Sequence, residues 1–522
     1  IFHLAIETPD GKKERIVSDA TWQCAIDRAH RPGAAKRWFL RALQEEFDAR
    51  LHPAGWDTAS FQPDQRWIPA AVIPCAPDKP AAASGYPGND LIEGVSPARS
   101  ALRLRQIPLM RESETPAIRL ADSGRIEWLR DPLDWFEFRV PGSFRIQGDP
   151  AAVSDGPAWR LPATAGSRQG VFATFEFQEQ IVGWPYFTID APAGTVVELM
   201  CQESHDPKGP RWLDTHFFNW ARFVCREGEN RFETFDYESL RWLQLHVRGA
   251  GRPVTIRNVG VRRRTFAWSQ RPHIRCSEPA LQRLFDAAVN TLYNSAQEIC
   301  ADGMGRERQQ YSGDGGHQLL AVRCLGEPSL SARFLRTFSE GQAPEGYFLD
   351  CWPAFDRLAR VMQKQVEGAY WGPLLDHGIG FNFDCFQHYQ ETGDLGALVE
   401  PYPRLLRFAE YLAALRGPDG LLPVENLGIP TVWIDHDAYR QQRHKQCAFN
   451  LYAAAMCRHA LAPLARAFGQ RERAEKLVRL GDEILAATVR RYWSAERGVF
   501  VNNLPWSAEE KGIRLCDRSL AT

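Results

Sequence analysis

The chain is 522 residues long, enough for roughly two to four domains. Hydrophobic residues make up 44% and charged residues 24%, which excludes a largely disordered chain. With 63 Lys+Arg against 64 Asp+Glu the formal net charge is −1, which argues against nucleic acid or an anionic membrane as the main partner; no apolar run reaches the length of about 18 residues that a membrane-spanning helix needs.

Taken in chain order, residues 1 to about 265 predict β structure. Ile1–Ile6 reads as a strand already in progress, and no signal-peptide pattern can be read in the sequence. Pro74 to Pro97, rich in Pro, Ala and Ser, reads as a linker. Beyond it Phe172, Thr174 and Glu176 alternate with Val171, Ala173, Phe175 and Phe177, and Leu243, Leu245 and Val247 alternate with Trp242, Gln244, His246 and Arg248. Turns such as Pro192-Ala193-Gly194 and Gly249-Ala250-Gly251 separate such runs, and this spacing predicts antiparallel β-sandwich modules over 1–110 and 111–265. The period changes after Ala267. Leu281, Leu284, Phe285, Ala288 and Leu292 recur at helical spacing, with Ser277 as the expected N-cap and Pro279 in the first turn. Further helices are expected near 315–325, 329–340, 378–392, 403–416, 446–469 and 472–493, stacked as hairpins in an α domain over 266–522. On the third of these, near 378–392, Asp384 and His388 stand four apart and predict a side-chain pair. The last residues, Asp517 to Thr522, read as a helix cap with no helix after it, so the chain reads as a segment of a longer protein. The expected compartment is bacterial cytoplasm or periplasm rather than a membrane. The oligomeric state is not readable.

The 17 tryptophans supply flat amphipathic rings that pack cores and also stack on sugar faces. The 12 cysteines are scattered without metal-ligand spacing, which predicts buried thiols and calls for no metal and no cofactor. One loop concentrates unusual chemistry. Asp302, Glu307 and Asp314 share it with Arg306 and Arg308 and with Gly303, Gly305, Gly313, Gly315 and Gly316. Glycines allow tight turns, and acids held beside arginines can be driven to different protonation states, as acid/base catalysis needs. A loop with ordinary surface ion pairs has the same composition.

The stretch Asp302 … Arg306-Glu307-Arg308 … Tyr311-Ser312-Gly313-Asp314 resembles a signature of the α-L-rhamnosidases of glycoside hydrolase family 78, with the acids at the same offsets. It departs at Gly303-Met304, where many members have Cys-Pro, and at Gln310, where they have Gly. Phe175-Glu176-Phe177 through Gly183-Trp184-Pro185-Tyr186-Phe187 looks like the family's β-sandwich, and Phe235-Asp236-Tyr237-Glu238 through Leu245 like its strand leading into the catalytic domain. Ser18-Asp19-Ala20-Thr21-Trp22 and Asp48-Ala49-Arg50 through Gly55-Trp56 look like a more N-terminal module. The resemblance implies an (α/α)6 barrel over 266–522, incomplete at its C-terminal end, and inverting removal of terminal α-L-rhamnose. It makes Glu307 the general acid, has Asp302 and Asp314 bind sugar hydroxyls and tune the acid, and has Arg306 hold the carboxylates.

The general base implied by the family comes from a later hairpin, so it is expected beyond Thr522 or is unidentified. Glu425, Asp435, Glu367 and Asp376 are weaker candidates inside the chain. Trp371, Trp433 and Asp435 are expected to bind the carbohydrate substrate. Two other functions stay open. A polysaccharide lyase acting at rhamnose–uronate linkages would use Tyr311, Tyr370 or His436 as base; a non-catalytic carbohydrate-binding protein would need no tuned acid.

Overall fold

The computed structural model describes residues 2–35, 43–71, 105–129, 144–147, 153–155, 157–164, 166–213, 220–269, 274–353, 373–428, 430–434, 442–501 and 519–520. They form two compact units. One holds the described residues up to 71 together with Ser113–Arg263; the other holds 105–112 and everything from Arg264 onward.

The first unit is built on one large sheet. Its spine is the strand Gln169–Ala191, which pairs antiparallel with Glu238–Arg248, Val254–Thr265, Arg119–Trp128 and Gly228–Glu233. Side chains alternate across a strand, so the spine feeds two cores. Val171, Ala173, Phe175 and Phe177 enter one with Leu243, Leu245 and Val247; Phe172 enters the other with Trp128, Trp220 and Trp242. The alternation in the sequence therefore divides two buried faces rather than a buried from a wet one. The pairing breaks register between Glu176 and Ile181, where the strand bends. A Cβ on Gly183 would stand 2.2 Å from the Arg262 carbonyl oxygen, so only glycine allows the two backbones to approach there. One edge departs from the expected antiparallel pattern, since Leu43–Asp48 runs parallel to Trp220–Val224. Beneath it Glu198 is fully buried between Arg248 (2.6 Å) and Arg222 (3.2 Å). Burial raises the Glu198 pKa, but the two guanidiniums outweigh it and hold the carboxyl below its ordinary value.

The second unit is helical. Its helices are α1 (Pro279–Ser295), α2 (Ser312–Cys324), α3 (Pro328–Ser339), α4 (Leu375–Thr392), α5 (Pro401–Leu415), α6 (Gln446–Met456), α7 (Ala462–Ala467) and α8 (Arg471–Tyr492). A π-turn over Cys457–Leu461 joins α6 to α7. No parallel strand pairing occurs among the described residues of this unit; its short strands Trp493–Ser494, Val499–Val501 and Ser519–Leu520 pair antiparallel.

Three local expectations need correction. The N-cap of α1 is Glu278, whose side chain accepts from the Ala280 amide, and not Ser277. The expected apolar stripe of α1 is buried only at Leu292; Leu281 and Leu284 are 55% and 66% exposed, because the helix packs through its last turns, where Tyr293 stacks on Trp268. Asp384 and His388 do not pair. His388 Nδ1 meets the Ser331 hydroxyl at 3.0 Å, while Asp384 lies against α2, 2.7 Å from where a Cβ on Gly316 would be. No helix among the described residues is long and apolar enough to cross a membrane.

Candidate active site

The acid-rich loop runs from Cys300 to the start of α2, and its backbone is closed on itself. The Asp302 amide donates to the Gln309 carbonyl at 2.9 Å, and the Gln309 amide donates to Asp302 Oδ1 at 2.9 Å. Inside this closure the Arg306 and Arg308 amides both donate to the Gly303 carbonyl. Arg308 sits in the left-handed region at φ +56° and turns inward, where its Nε donates to the Met304 carbonyl at 2.7 Å. Arg308 is therefore a brace for the turn. Gln310 is buried and works in the same way: its Oε1 accepts from the Cys300 amide and its Nε2 donates to the Trp352 carbonyl. That cross-link is the structural content of one departure from the family pattern.

The turn brings Asp302, Arg306 and Glu307 together. Arg306 lies 3.9 Å from Asp302 Oδ2 and 3.7 Å from Glu307 Oε1, with its own side chain half exposed. At such distances and exposure an ion pair contributes roughly 0–1 kcal/mol, so Arg306 orients more than it stabilises. The Asp302 side chain is only 7% exposed. Burial pushes its pKa up to about 7; the Gln309 amide pulls the other way, and the charges of Glu307 and Asp314 add to the rise. Asp302 thus titrates near neutrality, and when protonated it can both donate to and accept from a sugar hydroxyl. Asp314 lies exposed in the first turn of α2.

Glu307 makes one hydrogen bond among the described residues: the Tyr311 hydroxyl donates to its Oε2 at 2.6 Å. The sequence names Tyr311 as part of the signature and as a candidate lyase base, and not as the partner of Glu307, although it follows Glu307 by four. The start of α2 is tied to the start of α4, since the Ser312 hydroxyl donates to the His377 carbonyl at 2.8 Å and Gly313 leaves room for the His377 ring. Asp376, beside His377, accepts from the Trp433 amide at 2.8 Å, so Trp433 joins the same corner through its backbone. Asp376 is engaged as a loop anchor, and Glu425 pairs with Arg443 at 3.2 Å on the surface. Trp371, Asp435, Glu367, Tyr370 and His436 lie outside the described residues. Among the described residues no group of three or more His, Cys, Asp or Glu is arranged to hold a metal ion.

Comparison with known proteins bears on this geometry. Residues 269–508 match the family described as bacterial alpha-L-rhamnosidase 6 hairpin glycosidase domain, and residues 1–89 match the alpha-L-rhamnosidase N-terminal domain. A sequence search of the curated proteins gives no match. Among solved structures, the rhamnosidase of glycoside hydrolase family 78 from Bacillus sp. GL1 has a TM-score of 0.72 at 14% identity, over 94% of this chain and 66% of that one. The Klebsiella oxytoca rhamnosidase with rhamnose bound has a TM-score of 0.56 at 18% identity, over 76% of this chain and 73% of that one. The Streptomyces avermitilis α-L-rhamnosidase complexed with L-rhamnose has 0.61 at 17% identity, over 96% of this chain and 40% of that one. The chain thus spans about two thirds of the Bacillus protein's length and less than half of the Streptomyces protein's, and these likenesses show a shared fold. The two matched stretches together take in more than half of the chain, and both are rhamnosidase domains: the chain carries the N-terminal domain and the 6 hairpin glycosidase domain of the bacterial α-L-rhamnosidases.

Proposed function

We propose that the protein is a glycoside hydrolase that removes terminal α-L-rhamnose from glycans or glycosides by an inverting acid/base mechanism. In this reading the helical unit belongs to an (α/α)6 barrel over 266–522, preceded by β-sandwich modules over 1–110 and 111–265. The observation that carries it is the folded turn that holds Glu307 within 3.7 Å of Arg306, beside the buried acid Asp302.

A glycosidic oxygen leaves poorly unless it is protonated as its bond breaks. Glu307 is half-buried, reaches out of a rigid turn and gives that proton. Asp302 and Asp314 grip sugar hydroxyls, and Arg306 keeps the carboxylates oriented. Trp433, with Trp371 and Asp435, completes the sugar subsite. In an inverting enzyme a second carboxylate, about 6.5–9.5 Å from the first, activates water on the opposite face of the ring. Asp376 and Glu425 are engaged in structural contacts, so the base is assigned to neither of them. One specific observation favours a variant of this reading. Asp302, more buried than Glu307 and titrating at about 7, would be the proton donor. Its Oδ1, however, already accepts from the Gln309 amide, which leaves less freedom to reach a leaving group.

The test is hydrolysis of an aryl α-L-rhamnoside by the intact natural protein, followed by nuclear magnetic resonance of the first product. Appearance of β-L-rhamnose before mutarotation supports the proposal. Release of the α anomer first contradicts inversion. An unsaturated uronate absorbing in the near ultraviolet indicates a lyase, and binding without turnover a carbohydrate-binding protein.

A further inference from the structure

We propose that Tyr311 is a positioning residue for Glu307: its phenol fixes Oε2, leaving Oε1 as the oxygen that delivers the proton to the departing group. The proposal rests on Glu307 being the general acid and adds which of its atoms acts and what holds it there.

Three observations carry it. The hydrogen bond is short, 2.6 Å, in the range of about 2.5–2.7 Å found when a hydroxyl meets a carboxylate. It is the one hydrogen bond Glu307 makes among the described residues; Arg306, 3.7 Å from Oε1 on a half-exposed side chain, adds a charge attraction and no hydrogen bond. Tyr311 is itself immobilised. Its ring is buried against Cys351 and Trp352, and its edge faces the His377 ring at 6.4 Å. Its backbone forms a β-bridge with Cys351, and its carbonyl accepts from the Gly315 amide at 2.8 Å in the first turn of α2. Glu307 projects from a turn and has three side-chain torsions, so a fixed phenol four residues on removes rotational freedom that the turn leaves. A hydroxyl that donates to Oε2 occupies that oxygen, so the transferable proton resides on Oε1, the atom on the Arg306 side. The step balances simply: the O–H bond at Oε1 breaks, the leaving oxygen takes the proton, and Glu307 is left as a carboxylate with Tyr311 still donating to Oε2.

The experiment uses Tyr311→Phe, Glu307→Gln and the double variant in the intact natural protein, each with an alkyl α-L-rhamnoside and a nitrophenyl α-L-rhamnoside. Phe keeps the ring and its packing, and circular dichroism checks that it folds. For Tyr311→Phe, kcat on the alkyl substrate should fall about 10- to 100-fold, the usual size of a misplaced catalytic group, while kcat on the nitrophenyl substrate and both KM values stay within about threefold. In the double variant the alkyl rate should be no lower than in Glu307→Gln alone, because a residue that acts through Glu307 has nothing left to position. If Glu307→Gln discriminates the two leaving groups and Tyr311→Phe lowers both rates equally, or neither, the positioning role is overturned while the acid assignment stands. If Glu307→Gln itself does not discriminate, the underlying assignment fails and this inference with it. A misfolded Tyr311→Phe would show a scaffold role and would also overturn the proposal.

Discussion

Replacing Asp384 by Asn should flatten the pH dependence of the helical unit's stability. Asp384 on α4 is 5% exposed and packed against the glycine face of α2, and its Oδ2 has no hydrogen-bond partner among the described residues. Burial pushes its pKa up from 3.8 to about 7, with Arg323 opposing. Between those two values the native state keeps a proton that the unfolded chain has released. The stability this carboxyl contributes is therefore fully present below pH 4, falls as pH rises toward 7, and is lost above it. The shift is about three units, and each unit is worth about 1.4 kcal/mol, so this one carboxyl can remove up to about 4 kcal/mol across the window. Asn keeps the shape and cannot ionise. Denaturant unfolding, followed by helical ellipticity at several pH values, reads the effect. The difference between the two proteins cancels other groups, Asp302 included. It should be near zero below pH 4, grow in favour of the Asn variant between pH 4 and 7, and level off above pH 7. A difference that stays constant from below pH 4 to above pH 7 would refute the reasoning.

In the sheet unit, Glu198→Gln leaves Arg222 and Arg248 buried without their shared carboxylate. It should cost about 3–5 kcal/mol, seen as an earlier urea midpoint. Gly315→Ala puts a Cβ 2.3 Å from the Phe334 ring, so it should cost about 1–3 kcal/mol by thermal melting. Because Gly315 stands one turn from Tyr311, the same variant should also lower turnover of poor leaving groups, which steady-state kinetics on the folded fraction measures.

Periodicity made most of the elements legible. The last strand of the large sheet ends at Thr265 and α1 begins at Pro279, where the spacing of apolar residues changes from two to nearly four. The helices α2, α3, α4, α5 and α8 begin within about three residues of their expected positions, and α3, α5 and α8 bury an apolar face set by local spacing. What depends on long-range packing was not legible. Nothing in the residues of Leu43–Asp48 says that they run parallel to a strand some 180 positions later. Leu281 and Leu284 keep perfect helical spacing yet lie in solvent, because spacing names a face without naming what covers it. At the site, the acids and arginines were visible as a cluster. The division of labour was not, since Arg306 and Arg308 stand two positions apart, yet one is half exposed and the other turns inward once it adopts a left-handed backbone. The sequence placed the expected tuning on Glu307, whereas burial acts most visibly on Asp302, whose carboxyl is closed in by the Gln309 backbone.

The most direct test of the central claim, that Glu307 protonates the leaving group, is the ratio of rates for Glu307→Gln on two rhamnosides in the intact natural protein. Proton donation by a placed side chain supplies about 10²–10⁴-fold, and Gln offers none. Turnover of an alkyl rhamnoside, whose alkoxide cannot leave unprotonated, should fall by that amount, while a nitrophenyl rhamnoside should lose less than about tenfold. Equal losses on both substrates would contradict the account and leave Glu307 a structural residue.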